Sequence, residues 1–72
     1  MKRFEVSICG YTERVDLVLT EENIRNYCKS LNYDVLDPTL TKQFDYYRQF
    51  GMFAVNVIDH FCNESIMAFW AI

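Results

Sequence analysis

The side chains best suited to chemistry lie together in Asp59-His60-Phe61-Cys62, which contains the only histidine of the chain. A cysteine nucleophile needs a base that takes its proton and a third group that orients this base. Cys62, His60 and Asp59 are of the right types, but groups so close together in one turn rarely reach that geometry. The sequence therefore predicts a solvated loop here and no catalytic residue.

A metal site would need Cys9 and Cys28 to meet His60 and Cys62. Zinc sites with such ligands usually contain a close pair of cysteines, whereas these two are far apart in sequence. Cys28 also falls on the apolar stripe of a predicted helix, where cysteine behaves as a small hydrophobe. Three cysteines at irregular spacing make no disulfide framework either, so we expect neither a metal nor a disulfide.

Acidic residues and glycines suggest no better catalytic or cofactor site. Glu21 and Glu22 lie where the positive end of a predicted helix favours anions, and Asp37 precedes a proline in the manner of an N-cap. The two glycines are too few for a phosphate-binding loop. We therefore expect a protein that is not an enzyme and carries no cofactor.

Length and composition point to a small domain with too much apolar surface. The 72 residues predict one domain, residues 1–72, and 51% of them are hydrophobic. Six Phe, five Tyr and one Trp make the chain unusually aromatic. Because so small a core gains only about 3–5 kcal/mol from burial, we expect part of this surface to bind a partner or a second copy.

The net charge argues against nucleic acid as a partner, and the short apolar runs argue against a membrane. The net charge is −3, and a nucleic-acid interface would have to use the few scattered cations, Lys2, Arg3, Arg14 and Arg25. No apolar run approaches the roughly 20 residues of a membrane-spanning helix, and the N-terminus lacks the apolar region of a signal peptide. We expect a cytoplasmic protein whose acidic second half suits a basic protein surface.

The first half of the chain predicts a hairpin followed by a helix. Phe4, Val6 and Ile8 alternate with polar residues, and Val15, Leu17 and Leu19 repeat the alternation. A loop over residues 10–13 would pair Ile8 with Val15. Thr20 is a good N-cap, and Asn32 can close the helix, whose apolar stripe is Ile24, Tyr27, Cys28 and Leu31.

The second half predicts a connection, a helix and a second hairpin. Residues 32–36 form the connection, which could include a short extended piece. The helix begins with Asp37 as N-cap, and Gly51 ends it. Two apolar runs, Met52–Ile58 and Ser65–Ile72, then flank the turn 59–64. The order β-β-α-α-β-β predicts an α+β domain, in which two helices cover one face of a four-stranded, mainly antiparallel sheet.

The second hairpin is apolar on both faces, which is the most informative feature of the sequence. The helices would cover one face, and the other would be left with Asn56 as its single polar residue. Residues 32–36 could fold over it, or the register could differ; otherwise a dimer or a target protein covers it. The predicted interaction residues are those of this second face and of an exposed flank of the second helix, namely Met52, Asn56, Ile58, Ile66, Trp70, Ile72, Asp45, Tyr46 and Phe50.

This profile, a compact, acidic and aromatic-rich chain, is similar to that of many accessory proteins of phages and mobile elements. The resemblance is one of profile and involves no particular motif. Some of those proteins inhibit host complexes by binding them, as anti-CRISPR proteins do. We therefore expect a self-associating inhibitor or adaptor that occludes a surface of a larger protein. A dimeric nucleic-acid-associated regulator is the alternative.

Overall fold

A computed structural model describes all residues from Met1 to Ile72 and contains five strands and two helices. The elements follow the chain as β1 (Lys2–Ile8), β2 (Tyr11–Leu17), α1 (Glu21–Ser30), β3 (Asp34–Val35), α2 (Thr41–Phe50), β4 (Met52–Ile58) and β5 (Glu64–Ala71). The predicted α+β class with two helices and an antiparallel sheet is confirmed. Neither helix is both long and apolar enough to cross a membrane.

The sheet has five strands in the order β2-β1-β5-β4-β3, so the prediction of four strands is wrong. All neighbouring pairs are antiparallel, and the sheet curls into a half-barrel. The additional strand is Asp34–Val35, which lies in the predicted connection and pairs with Ile58 and Val57. A strand of two residues is too short to show the alternation of apolar and polar residues by which strands are predicted. Its residues extend the sheet sideways instead of folding over it.

The first hairpin turns earlier than the sequence predicted. Ile8 pairs with Tyr11 rather than with Val15, because the loop consists of Cys9 and Gly10 alone. Both residues have positive φ, 47° and 81°, as in the two-residue turns whose twist matches that of the strands. The displacement is four residues, an even number, so the predicted apolar face is preserved.

The first helix forms as its sequence predicts. The Thr20 side chain accepts a hydrogen bond from the Asn23 amide at 3.1 Å, which satisfies one of the free donors of the first turn. Asn32 has φ 67°, and its amide donates to the Lys29 carbonyl while the Tyr33 amide donates to that of Cys28. This pair of bonds is the Schellman arrangement that ends many helices.

The second helix begins later than predicted, and Asp37 does not cap it. Leu40 occupies the N-cap position without a side-chain hydrogen bond. The Asp37 carboxylate instead accepts hydrogen bonds from Asn56 on β4, so it stabilises the sheet. The predicted end at Gly51 is confirmed, with φ 72°.

The core lies between the two helices and one face of the sheet. Eleven residues are buried, all of them apolar or cysteine: Phe4, Val6, Ile8, Ile24, Cys28, Leu40, Phe53, Val55, Val57, Met67 and Phe69. Phe53 and Phe69 stack with centroids 4.7 Å apart, and Phe4 meets both rings edge-on. The prediction that the helices cover the odd-numbered face of the second hairpin is therefore confirmed for these residues.

Candidate protein-interaction surface

The even-numbered face of the second hairpin is covered by no other part of the chain. We call this surface the open face and define it as Leu36, Met52, Ala54, Asn56, Ile58, Ile66, Ala68, Trp70 and Ile72. Ile66 is 63% exposed and Trp70 47% exposed, although both belong to a paired strand. Strand pairing brings Met52 opposite Trp70 and Asn56 opposite Ile66. The predicted residues of β4 and β5 thus form one continuous apolar surface.

The single polar side chain of the open face is partly hydrogen-bonded within the chain. Asn56 donates its side-chain amide to one oxygen of Asp37 at 3.1 Å and its backbone N–H to the other at 2.9 Å. The Leu36 amide donates to the Asn56 carbonyl at 2.8 Å. These bonds pair the backbone groups of Asn56 and one side-chain N–H, which lowers the desolvation cost of covering this face, while its Oδ1 is left to accept from a partner.

Leu36 belongs to the open face, whereas the sequence analysis considered residues 32–36 only as a possible cover for it. Its hydrogen bond to Asn56 places it beside β4, and it is 43% exposed. Only the short strand β3 positions it there, and the sequence predicted no more than an optional short extended piece in this connection. Ala54 and Ala68, opposite each other on β4 and β5, complete the face with small side chains.

The same side of the sheet is charged on the first hairpin. Arg3 forms a two-point ion pair with Asp16, at 3.0 and 3.3 Å, and Arg14 lies 3.7 Å from Glu5. Hydrogen bonding to Arg3 lowers the pKa of the Asp16 carboxyl. Arg25, which is also paired, lies 3.3 Å from Glu21. Three of the four cations considered for nucleic-acid contact are thus engaged with carboxylates.

A second exposed aromatic surface lies on α2. Tyr46 and Phe50, one turn apart on the helix, have ring centroids 4.5 Å apart and are 48% and 62% exposed. Asp45, also predicted for this surface, pairs with Arg48. Because the helix packs on the covered side of the sheet, these residues do not join the open face directly. They approach it at one edge, where Tyr46 and Met52 line a common groove.

The loop with the candidate catalytic residues is a structured turn. One oxygen of the Asp59 carboxylate accepts hydrogen bonds from the amides of Phe61 at 2.8 Å and Asn63 at 2.9 Å. These bonds lower the pKa of Asp59, and the bond from the Asn63 amide contributes most. Cys62 adopts φ 63°. Phe61 is 85% exposed at the tip, a feature that the sequence analysis did not single out.

The three cysteines are free and lie in different environments. The exposed Cys9 contacts the Ser65 hydroxyl, with 3.3 Å between Sγ and Oγ. Cys28 is buried beside Met67, and burial raises the pKa of its thiol to about 11. No three residues among His, Cys, Asp and Glu converge in a geometry that could bind a metal.

A polar cluster joins the first hairpin to α1. The Glu13 carboxylate accepts hydrogen bonds from the hydroxyls of Tyr27 on the helix and Tyr11 on its own strand. These bonds, that of Tyr27 first, lower the pKa of Glu13. Burial, followed by the bond to Glu13, raises the pKa of Tyr27. The cluster fixes the helix to β2, and Tyr11 also lines an open cleft together with Ile8 and Leu31.

With this geometry established, comparison with known proteins adds no relative. The chain matches no known protein-family model, no curated protein and no solved structure.

Proposed function

We propose that this chain is a non-catalytic protein-binding module, an inhibitor or adaptor, whose open face occludes a surface of a larger protein. The observation that supports the proposal is an apolar sheet face, centred on Ile66 and Trp70, that no segment of the chain covers. Contiguous apolar surfaces of this kind are typical of sites where proteins associate.

The composition of the open face suits a tight contact. Trp70 offers a large, rigid ring, and tryptophan is enriched among the residues that contribute most to binding energy. Towards β4 its neighbours are apolar, with Met52 directly opposite, whereas Glu5 lies opposite it on β1. The centre of the contact on β4 and β5 would therefore lose water with few polar groups to pair. Asn56, the exception, keeps its hydrogen bonds to Asp37.

Charge around the open face suggests the character of the target. Asp34 pairs with Ile58 at one margin of the face, and Glu64 pairs with Ile58 from the other strand. Neither carboxylate takes part in an ion pair within the chain. A target with basic residues around an apolar centre would complement this margin, and such complementarity chiefly contributes specificity and association rate.

Self-association is part of the same proposal, because a second copy can cover the open face by packing sheet on sheet. The resemblance in profile to accessory proteins of phages and mobile elements supports an anti-defence role, with a host complex as the larger target. Both partners would use Trp70 and Ile66, so they would compete for one surface.

Light scattering after size-exclusion chromatography, together with capture from extract of the native host, tests the proposal. The variant Ile66→Glu places a charge in the centre of the open face, and Thr12→Glu, on the charged side of the first hairpin, is its control. We expect Ile66→Glu to abolish self-association or to release captured proteins, while Thr12→Glu changes neither. A concentration-independent monomer whose captured proteins are the same for both variants would contradict the proposal.

A further inference from the structure

Half of strand β4 has no neighbour on its outer edge. β3 pairs only with Val57 and Ile58, and the Leu36 amide extends the contact to the Asn56 carbonyl. Beyond this point the chain leaves the sheet. The segment Met52–Val55 is therefore paired with β5 on one side and with no strand on the other.

The hydrogen bonds to β5 show which backbone groups of this segment are free. The Ala71 amide donates to the Gly51 carbonyl, and the Asp59 amide donates to that of Asn63. In an antiparallel pair such bonds recur at every second residue, so odd-numbered residues of β4 bond to β5. The backbone N–H and C=O groups of Met52 and Ala54 consequently point away from the sheet.

A groove runs alongside this free edge. Helix α2 forms one wall and the edge of β4 forms the other, with Lys42, Gln43, Tyr46, Met52, Phe53 and Ala54 as lining residues. Its lining is mainly apolar, and Lys42 is the single charged side chain among these residues. Tyr46 also packs against Phe50, with the ring planes tilted by 41°, and this contact supports the ring that forms the wall.

We propose that this edge binds an extended segment of the partner protein as a sixth strand of the sheet. Only an extended backbone presents donors and acceptors at the spacing of Met52 and Ala54, as in other cases of strand addition. Alternate side chains of the segment enter the groove, where Lys42 favours a neutral or acidic residue. The others extend the open face beside Met52. This inference rests on the proposed function, because it assumes a protein partner.

The opposite edge of the sheet is less suited to such binding. The Arg3 carbonyl accepts from the Ile72 amide, so Arg3 bonds to β5 and its neighbour Asp16 on β2 has backbone groups that point outward. The side chains along that edge are charged and paired, as with Arg3 and Asp16. Charged side chains are a common protection of edge strands against pairing, and the Met52–Val55 segment has none.

Selection of a random library of seven-residue peptides against the purified protein tests the inference. Binding of the selected peptides is then measured by fluorescence polarisation with two proline variants. Ala54→Pro removes one outward N–H while leaving the bonds to β5 in place. Arg14→Pro makes the matching change at the β2 edge, because Arg14 also points its backbone outward. We expect at least a tenfold loss of affinity for Ala54→Pro and less than a twofold change for Arg14→Pro.

A second measurement covers the case in which a proline variant fails to fold. N-methylation of the peptide at successive positions removes one backbone donor at a time and leaves the protein intact. We expect alternate positions to lose at least tenfold in affinity. Equal tolerance at all positions, peptides unaffected by Ala54→Pro, or a selection that yields no binder would overturn the inference.

The outcome distinguishes this inference from the proposed function. Loss of target binding in Ile66→Glu together with full binding in Ala54→Pro would retain the open face as the interface and reject strand addition. If Ala54→Pro instead abolishes only self-association, a second copy occupies the edge and the inference of a partner segment is wrong.

Discussion

Both hairpins contribute apolar residues to one core, although Glu13 interrupts the inner face of the first, and they present opposite chemistry on their outer sides. In the first hairpin the outer side carries the ion pairs Arg3–Asp16 and Arg14–Glu5. In the second it carries exposed aliphatic residues and Trp70. The two sides are continuous, since β1 and β5 are neighbours and Glu5 lies opposite Trp70. A single sheet surface thus changes from charged to apolar across one strand boundary.

This contrast separates what folding requires from what it does not. The charged outer side shows that an apolar outer face is not needed to keep a hairpin of this sheet in place. Folding therefore does not require the apolar residues of β4 and β5 on that side, and exposing them to water has a cost that polar residues would avoid. The binding partner proposed above would account for them.

The largest expected effect comes from the inner face of the second hairpin. Phe69→Ala removes a fully buried ring that stacks on Phe53, and such truncations cost about 3–5 kcal/mol of unfolding free energy. Trp70→Ala, at the next residue but on the open face, should cost about 1 kcal/mol or less. Urea denaturation followed by circular dichroism measures both.

Phe69→Leu provides a milder variant in case Phe69→Ala is unfolded at all urea concentrations. Its free energy of unfolding should lie between those of the wild type and Phe69→Ala. Equal losses for Phe69→Ala and Trp70→Ala would contradict the distinction between a covered and an open face.

A smaller effect is expected at the turn of the first hairpin. Gly10 has φ 81°, and no atom lies within 4 Å of the position a Cβ would occupy. Gly10→Ala should therefore lose stability through its backbone conformation alone, by about 1–2 kcal/mol. Gly10→Asn should lose less, because asparagine tolerates this conformation. Thermal melts compare the two variants; an equal loss would argue against the two-residue turn.

The sequence was sufficient to predict the elements with strong periodicity and local end signals. Nearby residues alone were enough to predict the apolar stripe of α1 with Thr20 and Asn32 at its ends. The same is true of the helix end at Gly51 and of the inner faces of both hairpins. The register of the first hairpin did not follow, because a two-residue turn and a longer loop keep the same alternation and differ only in the backbone of Cys9 and Gly10.

Long-range contacts were what the sequence left open. Asp37 next to a proline has every local feature of an N-cap, yet its carboxylate bonds to Asn56, nineteen residues later. The short strand β3, which pairs with Val57 and Ile58 next to this contact, has no periodicity of its own. For the candidate surface, the residues on β4 and β5 followed from alternation, whereas Leu36 and the groove beside Tyr46 required the positions of β3 and α2.

A smaller loss of stability is expected at the edge of the second hairpin. Asp37→Ala removes two hydrogen bonds to Asn56, but water can replace them at this exposed site, so we expect a loss of about 1 kcal/mol. The Asn56 amide should exchange its hydrogen faster, while the exchange rates of the amides in α2 should not change. Asp37→Asn, which keeps one acceptor oxygen, serves as control. Faster exchange in the first turn of α2 would instead support a capping role.

The smallest effect is expected from the cluster that fixes the first hairpin to α1. The bonds from Tyr27 and Tyr11 lower the pKa of Glu13 in the folded state. Stability from this group is therefore fully present above its ordinary pKa of about 4.3 and is lost as the pH falls through the lower folded value. The melting temperature of the wild type should exceed that of Glu13→Gln at pH 6, and the difference should shrink towards pH 3.

Asp16→Asn, measured in parallel, removes the other carboxylate of β2 with a lowered pKa, but its partner Arg3 lies on the sheet and not on the helix. Only Glu13→Gln should therefore also speed amide exchange in α1 around Tyr27; equal exchange in both variants would show that the helix does not depend on this cluster.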